Sequence, residues 1–122
     1  MNVLVIDDDP AVRDIVRDIV ELEPGWVVAG EATDGSEAIR LAEELQPDLV
    51  VLDLMLPVMS GIDALPQIVR VAPHAIIVML TAYPDARELI DAAALGAACT
   101  MEKSALTKLP AVVRDLLSDH AT

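Results

Sequence analysis

Five short apolar runs recur along the chain, separated by segments in which apolar residues follow a helical spacing. The runs are Val3–Ile6, Trp26–Ala29, Leu49–Leu52, Ile76–Leu80 and Ala97–Met101. The first, third and fourth are apolar on both faces, which is typical of strands buried within a parallel sheet. The pattern therefore predicts five strands.

The first predicted helix follows the first strand and is amphipathic. Asp9 is its expected N-cap, and Pro10 suits its first turn. Its apolar stripe consists of Val12, Ile15, Val16, Ile19 and Val20. The opposite face consists of Arg13, Asp14, Arg17, Asp18 and Glu21.

The second and fourth helices carry the spacing of a capping box at their N-termini. The second begins after Asp34, has a glutamate three residues later, and ends before Pro47. The fourth repeats the same spacing with Asp85 and Glu88, and Gly96 can end it as a C-cap. Both segments are therefore predicted to be helices with defined ends.

The third and fifth helices are predicted from periodicity and from one proline. We expect the third over Ala64–Ala72 with Asp63 as its N-cap, because Pro66 then lies near its first turn. The fifth covers the apolar positions between Leu109 and Leu117. Strand and helix thus alternate five times without a linker or repeat. This alternation predicts a single α/β domain over residues 1–122 with a parallel sheet.

Composition narrows the classes of function. A formal net charge of −13 argues against direct contact with nucleic acid, which needs a basic patch. Trp26 and Tyr83 are the only aromatic residues, so base-stacking platforms are excluded. No apolar run approaches the roughly 18–20 residues of a membrane span. Cys99 is the single cysteine and is expected to be a small core residue, which fits a reducing, cytoplasmic compartment.

Polar residues follow four of the predicted strands, at the sheet edge where open parallel sheets bind ligands. They are Asp7, Asp8 and Asp9 after the first strand, Asp53 after the third, Thr81 after the fourth and Lys103 after the fifth. Taken singly, each has an ordinary explanation as a helix cap, a turn residue, a strand residue or a surface charge. His74 and His120 lack metal-ligand spacing and are expected at the surface. The joint placement of polar residues at four strand ends favours a functional site.

The electrostatics of such an edge favour a bound cation. Carboxylates about 5 Å apart repel by roughly 3 kcal/mol per pair at an effective dielectric constant near 20. A hard divalent cation with oxygen ligands removes this repulsion, and Mg²⁺ suits a site with few carboxylates. With the ammonium of Lys103 and the hydroxyl of Thr81, the set is typical of an aspartate that accepts a phosphoryl group.

The motifs that carry these residues are similar to those of a known family. They read Val-Ile-Asp-Asp-Asp-Pro, Leu-Asp-Leu-Met-Leu-Pro-Val-Met-Ser-Gly, Met-Leu-Thr-Ala and Gly-Ala-Ala-Cys-Thr-Met-Glu-Lys. In this order and spacing the chain resembles the receiver domain of bacterial two-component response regulators over essentially its whole length. The resemblance implies a flavodoxin-like fold with strand order 2-1-3-4-5, and two helices on one face and three on the other.

The resemblance also implies a role for each matching residue. Asp53 matches the phosphorylated aspartate and is also one of the implied metal ligands. Asp8 matches the direct Mg²⁺ ligand, Asp7 matches its more indirect acidic companion, and the backbone carbonyl of Met55 matches the third protein ligand. Thr81 and Lys103 match the residues that contact the phosphoryl oxygens. Apart from the resemblance, the position of Tyr83 two residues after Thr81 places it near the mouth of the site, where we expect it to shield the acyl phosphate from water. Pro57 and Gly61 match the turn that shapes the loop after the third strand.

Three positions depart from the family pattern. Ser60 stands where an aspartate is common, and Ser104 stands where a proline often follows the lysine. The isomer of the peptide bond before Ser104 is therefore left open. Thr100 replaces the aromatic residue that turns inward on activation in the family, so its part in a switch is also open.

We expect a signalling domain that receives a phosphoryl group on Asp53 from a sensor histidine kinase, with Mg²⁺ bound, and is not an enzyme. It would act through an output domain or partner protein. The Lys-Ser-Ala-Leu sequence after the fifth strand favours a transcriptional output, and homodimerisation on phosphorylation is left open. The alternative is a small Mg²⁺-dependent phosphohydrolase with an aspartyl-phosphate intermediate. Such hydrolases place a second aspartate two residues after the nucleophile, where this chain has Met55. A flavodoxin-like cofactor binder lacks the aromatic residues that would hold a flavin.

Overall fold

The computed structural model describes residues 1–82 and 86–121, with side chains described except at positions 86, 88, 89 and 119–121. Within these ranges, strands and α-helices alternate, and a short 3₁₀ helix, Lys103–Lys108, precedes the last helix. The strands are β1 (Asn2–Ile6), β2 (Val27–Ala32), β3 (Leu49–Asp53), β4 (Ile76–Thr81) and β5 (Cys99–Glu102). The helices are α1 (Pro10–Glu21), α2 (Gly35–Leu45), α3 (Gly61–Val71), α4 (Ala86–Ala94) and α5 (Leu109–Ala121).

The strands form one parallel sheet in the order β2-β1-β3-β4-β5, as predicted. β3 and β4 are buried at every position, and β1 is buried at every position but Asn2. Such double burial requires helices on both faces, because a parallel sheet cannot leave an apolar face in water. No helix of the described residues has the length and apolar character to cross a membrane.

Two apolar clusters lie on opposite faces of the sheet, because successive strand residues point in opposite directions. Leu4 and Ile6 pack with residues of α2, α3 and α4 on one face. Val3 and Val5 pack with residues of α1 and α5 on the other. The predicted division into three helices and two is therefore confirmed. On α1, however, Ile15 is 48% exposed and lies outside the core that its periodicity indicated.

The predicted N-caps of α1 and α2 are present. The Asp9 carboxylate accepts a hydrogen bond from Ala11 N–H at 2.9 Å, and the Asp34 carboxylate accepts one from Glu37 N–H at 2.8 Å. Asp85, the predicted cap of the fourth helix, lies outside the described residues.

Gly96 ends α4 as predicted. It has φ +113°, and the N–H of the following Ala97 donates to the Ala92 carbonyl at 3.0 Å. Together with the Gly96 N–H, which donates to the Ala93 carbonyl at 3.2 Å, this is a Schellman motif.

The predicted start of the third helix is wrong. α3 begins at Gly61 with Ser60 as its N-cap, and the Ser60 hydroxyl accepts a hydrogen bond from Asp63 N–H at 3.1 Å. Pro66 therefore lies inside the helix, where it lacks the N–H that would bond the Ile62 carbonyl. Burial of the α3 face against the sheet outweighs this loss. The fully buried residues of that face are Ala64, Leu65 and Ile68.

The predicted ranges of the two edge strands differ from the observed ones. β2 begins one residue later than expected and continues to Ala32, because its backbone keeps pairing with β1 through Gly30 and Glu31. β5 begins at Cys99, because Ala97 completes the end of α4. Cys99 itself is only half-buried, at the margin of the core.

Candidate functional site

Four of the predicted polar residues meet at the carboxyl edge of the sheet. Asp7 follows β1, Asp53 ends β3 and Thr81 ends β4, and their exposed fractions are 0%, 1% and 3%. Lys103 follows β5, and its side chain is 23% exposed. Asp8, next to Asp7, is exposed to solvent. The edge thus combines buried polar groups with one carboxylate that faces water.

The three carboxylates form a cluster that could hold a metal ion. One oxygen each from Asp7, Asp8 and Asp53 lies within 4.8 Å of the other two. At such distances each pair of charges repels by about 3 kcal/mol at an effective dielectric constant of 20. A cation among them would remove this repulsion.

Lys103 neutralises part of the charge by bridging the two buried carboxylates. Its Nζ lies 2.8 Å from Oδ2 of Asp7 and 3.0 Å from Oδ2 of Asp53. Burial by itself lowers the pKa of Lys103, but its contacts with the two carboxylates outweigh burial and raise the pKa above its ordinary value. The lysine therefore stays charged at neutral pH. One ammonium against three carboxylates still leaves the site negative.

Asp53 is held at both carboxylate oxygens. Oδ1 accepts a hydrogen bond from the Met55 backbone N–H at 3.1 Å, and Oδ2 accepts one from Lys103 Nζ at 3.0 Å. Burial nevertheless raises the pKa of the Asp53 carboxyl, against the opposing effect of these two hydrogen bonds. The result is a fixed carboxylate that is more basic than one in water.

Asp7 offers a buried oxygen that suits a metal ligand. Its Oδ1 accepts a hydrogen bond from Asp9 N–H at 2.9 Å. Its Oδ2 is buried and, within the described part of the chain, accepts no hydrogen bond of regular geometry, although Lys103 Nζ lies 2.8 Å away as an ion pair. An oxygen-rich set whose negative charge exceeds that of its one ammonium fits Mg²⁺.

The loop between β3 and α3 fixes the position of Asp53. Gly61 N–H donates to the Leu54 carbonyl at 3.0 Å, and a Cβ on Gly61 would lie 2.1 Å from the Asp53 carbonyl oxygen. The sequence resemblance singled out this glycine, and the structure shows the close approach that requires it. The same loop turns sharply at Val58, where φ is +67°. Met55, two residues after Asp53, lies in this loop and is 70% exposed.

The sequence analysis did not identify the pairing of Arg13 and Arg17 with Glu31. Arg13 was placed on the face of α1 opposite the apolar stripe, but its Nη1 donates to the Asp7 carbonyl oxygen at 2.7 Å. Its Nε also lies 3.3 Å from the carboxylate of Glu31 on β2. Arg17, one turn along α1, forms a second ion pair with Glu31. The hydrogen bond within this ion pair raises the pKa of Arg17 above its ordinary value. Arginines at i and i+4 on a helix share a face. This spacing could have predicted that Arg13 and Arg17 contact the same partner.

The structure describes two of the positions that depart from the family pattern, Ser104 and Thr100. The peptide bond before Ser104 is trans. Thr100 is half-buried and lines an open pocket of about 220 Å³ with Ala93, Ala97 and Cys99. Tyr83, expected to shield the acyl phosphate, and His120, expected at the surface, lie outside the residues with described side chains. His74 is exposed, as predicted.

A doubly wound sheet of order 2-1-3-4-5, with clustered carboxylates and a lysine at its carboxyl edge, defines a class of phosphate-handling signalling domains. The sequence model of the response regulator receiver domain family matches residues 3–114. This chain belongs to that family, and it is a receiver domain of two-component signalling. Receiver domains bind Mg²⁺ at an acidic pocket, and they act with a phosphodonor kinase and with output or partner proteins.

Individual relatives agree with this assignment. Over 96 residues the chain is 40% identical to the chemotaxis protein CheY of Thermotoga maritima, covering 79% of each chain. It is 44% identical over 85 residues to the transcriptional regulatory protein LiaR of Bacillus subtilis, covering 70% of this chain and 40% of that protein. A two-component response regulator of the LuxR family from Aurantimonas sp. SI85-9A1 superposes with a TM-score of 0.89 at 34% identity. That match covers 97% of this chain and 85% of the other.

Proposed function

We propose that this receiver domain accepts a phosphoryl group on Asp53 from a phosphohistidine of a sensor kinase. The observation that carries the proposal is the setting of Asp53. Its carboxylate is buried, held at both oxygens, and placed beside an ammonium and two further carboxylates. A fixed carboxylate next to cationic groups is the arrangement needed for nucleophilic attack on phosphorus.

The residues divide the work of the transfer. A carboxylate oxygen of Asp53 forms a bond to phosphorus while the P–N bond of the phosphohistidine breaks and its electron pair returns to the imidazole. Lys103, 3.0 Å from Asp53, faces the negative charge of the phosphoryl oxygens. The hydroxyl of Thr81 ends the neighbouring strand and is proposed as a further donor to those oxygens.

Asp7, Asp8, Asp53 and the carbonyl of Met55 are the proposed ligands of Mg²⁺. A Mg²⁺ ion bound there supplies positive charge against the phosphoryl oxygens. The convergence of one oxygen each from Asp7, Asp8 and Asp53 within 4.8 Å of one another supports this ligand set. In the same proposal the domain is not an enzyme but a cytoplasmic phosphoprotein. Its phosphorylation acts on an output domain or partner, with a transcriptional output favoured.

Phosphorylation by a small donor tests the acceptor. The purified protein is incubated with Mg²⁺ and acetyl phosphate, and the modified residue is located by mass spectrometry after reductive trapping. The wild type and Asp9→Asn should be modified on Asp53, since asparagine also caps a helix. Asp53→Asn should remain unmodified. Modification of Asp53→Asn, or of another residue in the wild type, would show that the acceptor is wrongly assigned.

A further inference from the structure

Arg13 contacts the backbone that carries two carboxylates of the site. Its Nη1 donates a hydrogen bond of 2.7 Å to the carbonyl oxygen of Asp7. That carbonyl belongs to the peptide unit between Asp7 and Asp8. The Arg13 side chain is 18% exposed, so it is packed against the protein rather than extended into water. The contact therefore fixes the peptide from which both side chains leave.

The other side of Arg13 is held by Glu31. Nε of Arg13 lies 3.3 Å from the Glu31 carboxylate, which also binds Arg17. The next residue on β2, Ala32, accepts a hydrogen bond of 3.1 Å from Asp7 N–H. Asp7 is thus anchored at its N–H by β2 and at its carbonyl by α1.

Resting on the proposed function, we infer that Arg13 is a positioning residue that sets the affinity of the carboxylate cluster for Mg²⁺. The direction of the Asp7–Asp8 peptide determines whether both carboxylates converge with Asp53. Without the guanidinium, the carbonyl at this loop would have to find another donor, and the loop would have to be ordered when the ion binds. Preorganised ligands bind an ion more tightly because less ordering is needed.

Glu31 gives Arg13 a second property that suits a cation site. An unpaired guanidinium next to the cluster would repel a divalent cation. The carboxylates of Glu31 and Glu21 offset the charges of Arg13 and Arg17, so the hydrogen bond to the Asp7 carbonyl is made without adding net positive charge. This accounts for a half-buried glutamate in the edge strand β2, where nothing in the apolar pattern requires one.

A simpler role for Arg13 is to attach α1 to the sheet, and Arg17 provides the matched control. Arg17 is on the same helix and binds the same carboxylate, and its described hydrogen bonds go to Glu21 and Glu31 rather than to Asp7. Methionine at either position keeps an unbranched apolar stem and removes the donors. If attachment of the helix were the only role, Arg13→Met and Arg17→Met would change Mg²⁺ binding alike.

The test measures Mg²⁺ alone by calorimetric titration of the full chain, with melting temperatures in EDTA to confirm folding. Arg13→Met should raise the Kd for Mg²⁺ by about tenfold, the lower range for partners of metal ligands, and Arg17→Met by less than about twofold. Saturating Mg²⁺ should restore the rate of phosphorylation by acetyl phosphate in Arg13→Met. An unchanged Kd in Arg13→Met, an equal change in Arg17→Met, or a rate that excess Mg²⁺ does not restore would overturn the inference.

Asp8→Ala separates this inference from the proposed function. If Asp8→Ala binds Mg²⁺ like the wild type, the metal site itself is wrongly assigned. If Asp8→Ala loses binding while Arg13→Met keeps the wild-type Kd, the site stands and only the role of Arg13 is wrong.

Discussion

Gly61→Ala sets two physical effects against each other at the N-terminus of α3. Alanine is a better helix former than glycine by up to about 1 kcal/mol, so helix propensity alone predicts a more stable protein. The structure predicts the reverse. A Cβ at Gly61 would lie 2.1 Å from the carbonyl oxygen of Asp53 and 3.0 Å from Cα of Leu54. Both are backbone atoms, which cannot rotate away.

The size of the effect follows from what has to move. Relieving the overlap requires a backbone displacement of about 1 Å, and overpacking of this kind costs about 1–3 kcal/mol. The same movement weakens the 3.0 Å hydrogen bond from Gly61 N–H to the Leu54 carbonyl, which adds about 1 kcal/mol. After the gain in propensity, we expect a loss of about 2 kcal/mol in the free energy of unfolding. For a domain of this size that lowers Tm by about 8 °C.

The displaced atoms belong to Asp53, so the substitution should also affect phosphorylation. Misplacing a reacting group by about 1 Å can reduce a rate by about 100-fold. Urea denaturation gives the stability, and the rate of modification by acetyl phosphate gives the function. Gly25→Ala is the control, because nothing apart from its chain neighbours lies within 4 Å of a Cβ added there and only its φ of +80° is unfavourable. A Gly61→Ala protein that is as stable and as reactive as the wild type would refute the reasoning.

Two further substitutions test the charge and the backbone of the site. Asp53→Asn should be more stable than the wild type in EDTA at neutral pH, because burial raises the Asp53 pKa above 3.8 in the folded protein. The wild type then loses stability as the pH rises from 3.8 through that raised pKa. The difference in urea midpoint between Asp53→Asn and the wild type should therefore vanish below pH 3.8. Equal midpoints at neutral pH would contradict this prediction. Val58→Gly should add about 0.5–1 kcal/mol in urea denaturation, because Val58 is β-branched, has φ +67° and is 91% exposed. A loss of stability in Val58→Gly would mean that the valine side chain has a stabilising contact.

The fold was predictable where one physical signal dominates. β1, β3 and β4 are buried on both faces, so their sequences are continuous apolar runs with clear ends. β2 is an edge strand that contains Gly30 and Glu31. Its extent is set by backbone pairing with β1, which produces no periodic pattern of apolar residues in the sequence. The start of α3 was misplaced because Ser60 and Asp63 are both competent N-caps. Only tertiary packing, which buries the face after Gly61, selects Ser60.

The location of the site was predictable for a different reason. Parallel strands end at one edge, so Asp7, Asp53, Thr81 and Lys103 had to meet once the strand order was correct. The contact of Arg13 with the Asp7 carbonyl depends on how α1 lies across the sheet, and helical periodicity does not contain that angle. The charge pattern of a helix separates its apolar face from the rest. It does not say which charged residues reach the sheet.

Lys103 joins the two buried carboxylates of the site to the segment between β5 and α5. Nζ is 2.8 Å from Asp7 and 3.0 Å from Asp53, so neither carboxylate holds the ammonium alone. A phosphoryl group on Asp53 would bring more than one negative charge and three acceptor oxygens to one side of this balance. Lys103 begins the 3₁₀ helix that leads into α5, so the residue that bridges the carboxylates is also part of the connection between β5 and α5. Burial strengthens the repulsion between the carboxylates when no cation is bound. For the same reason it would strengthen the response of the Lys103 ammonium to a change of charge on Asp53.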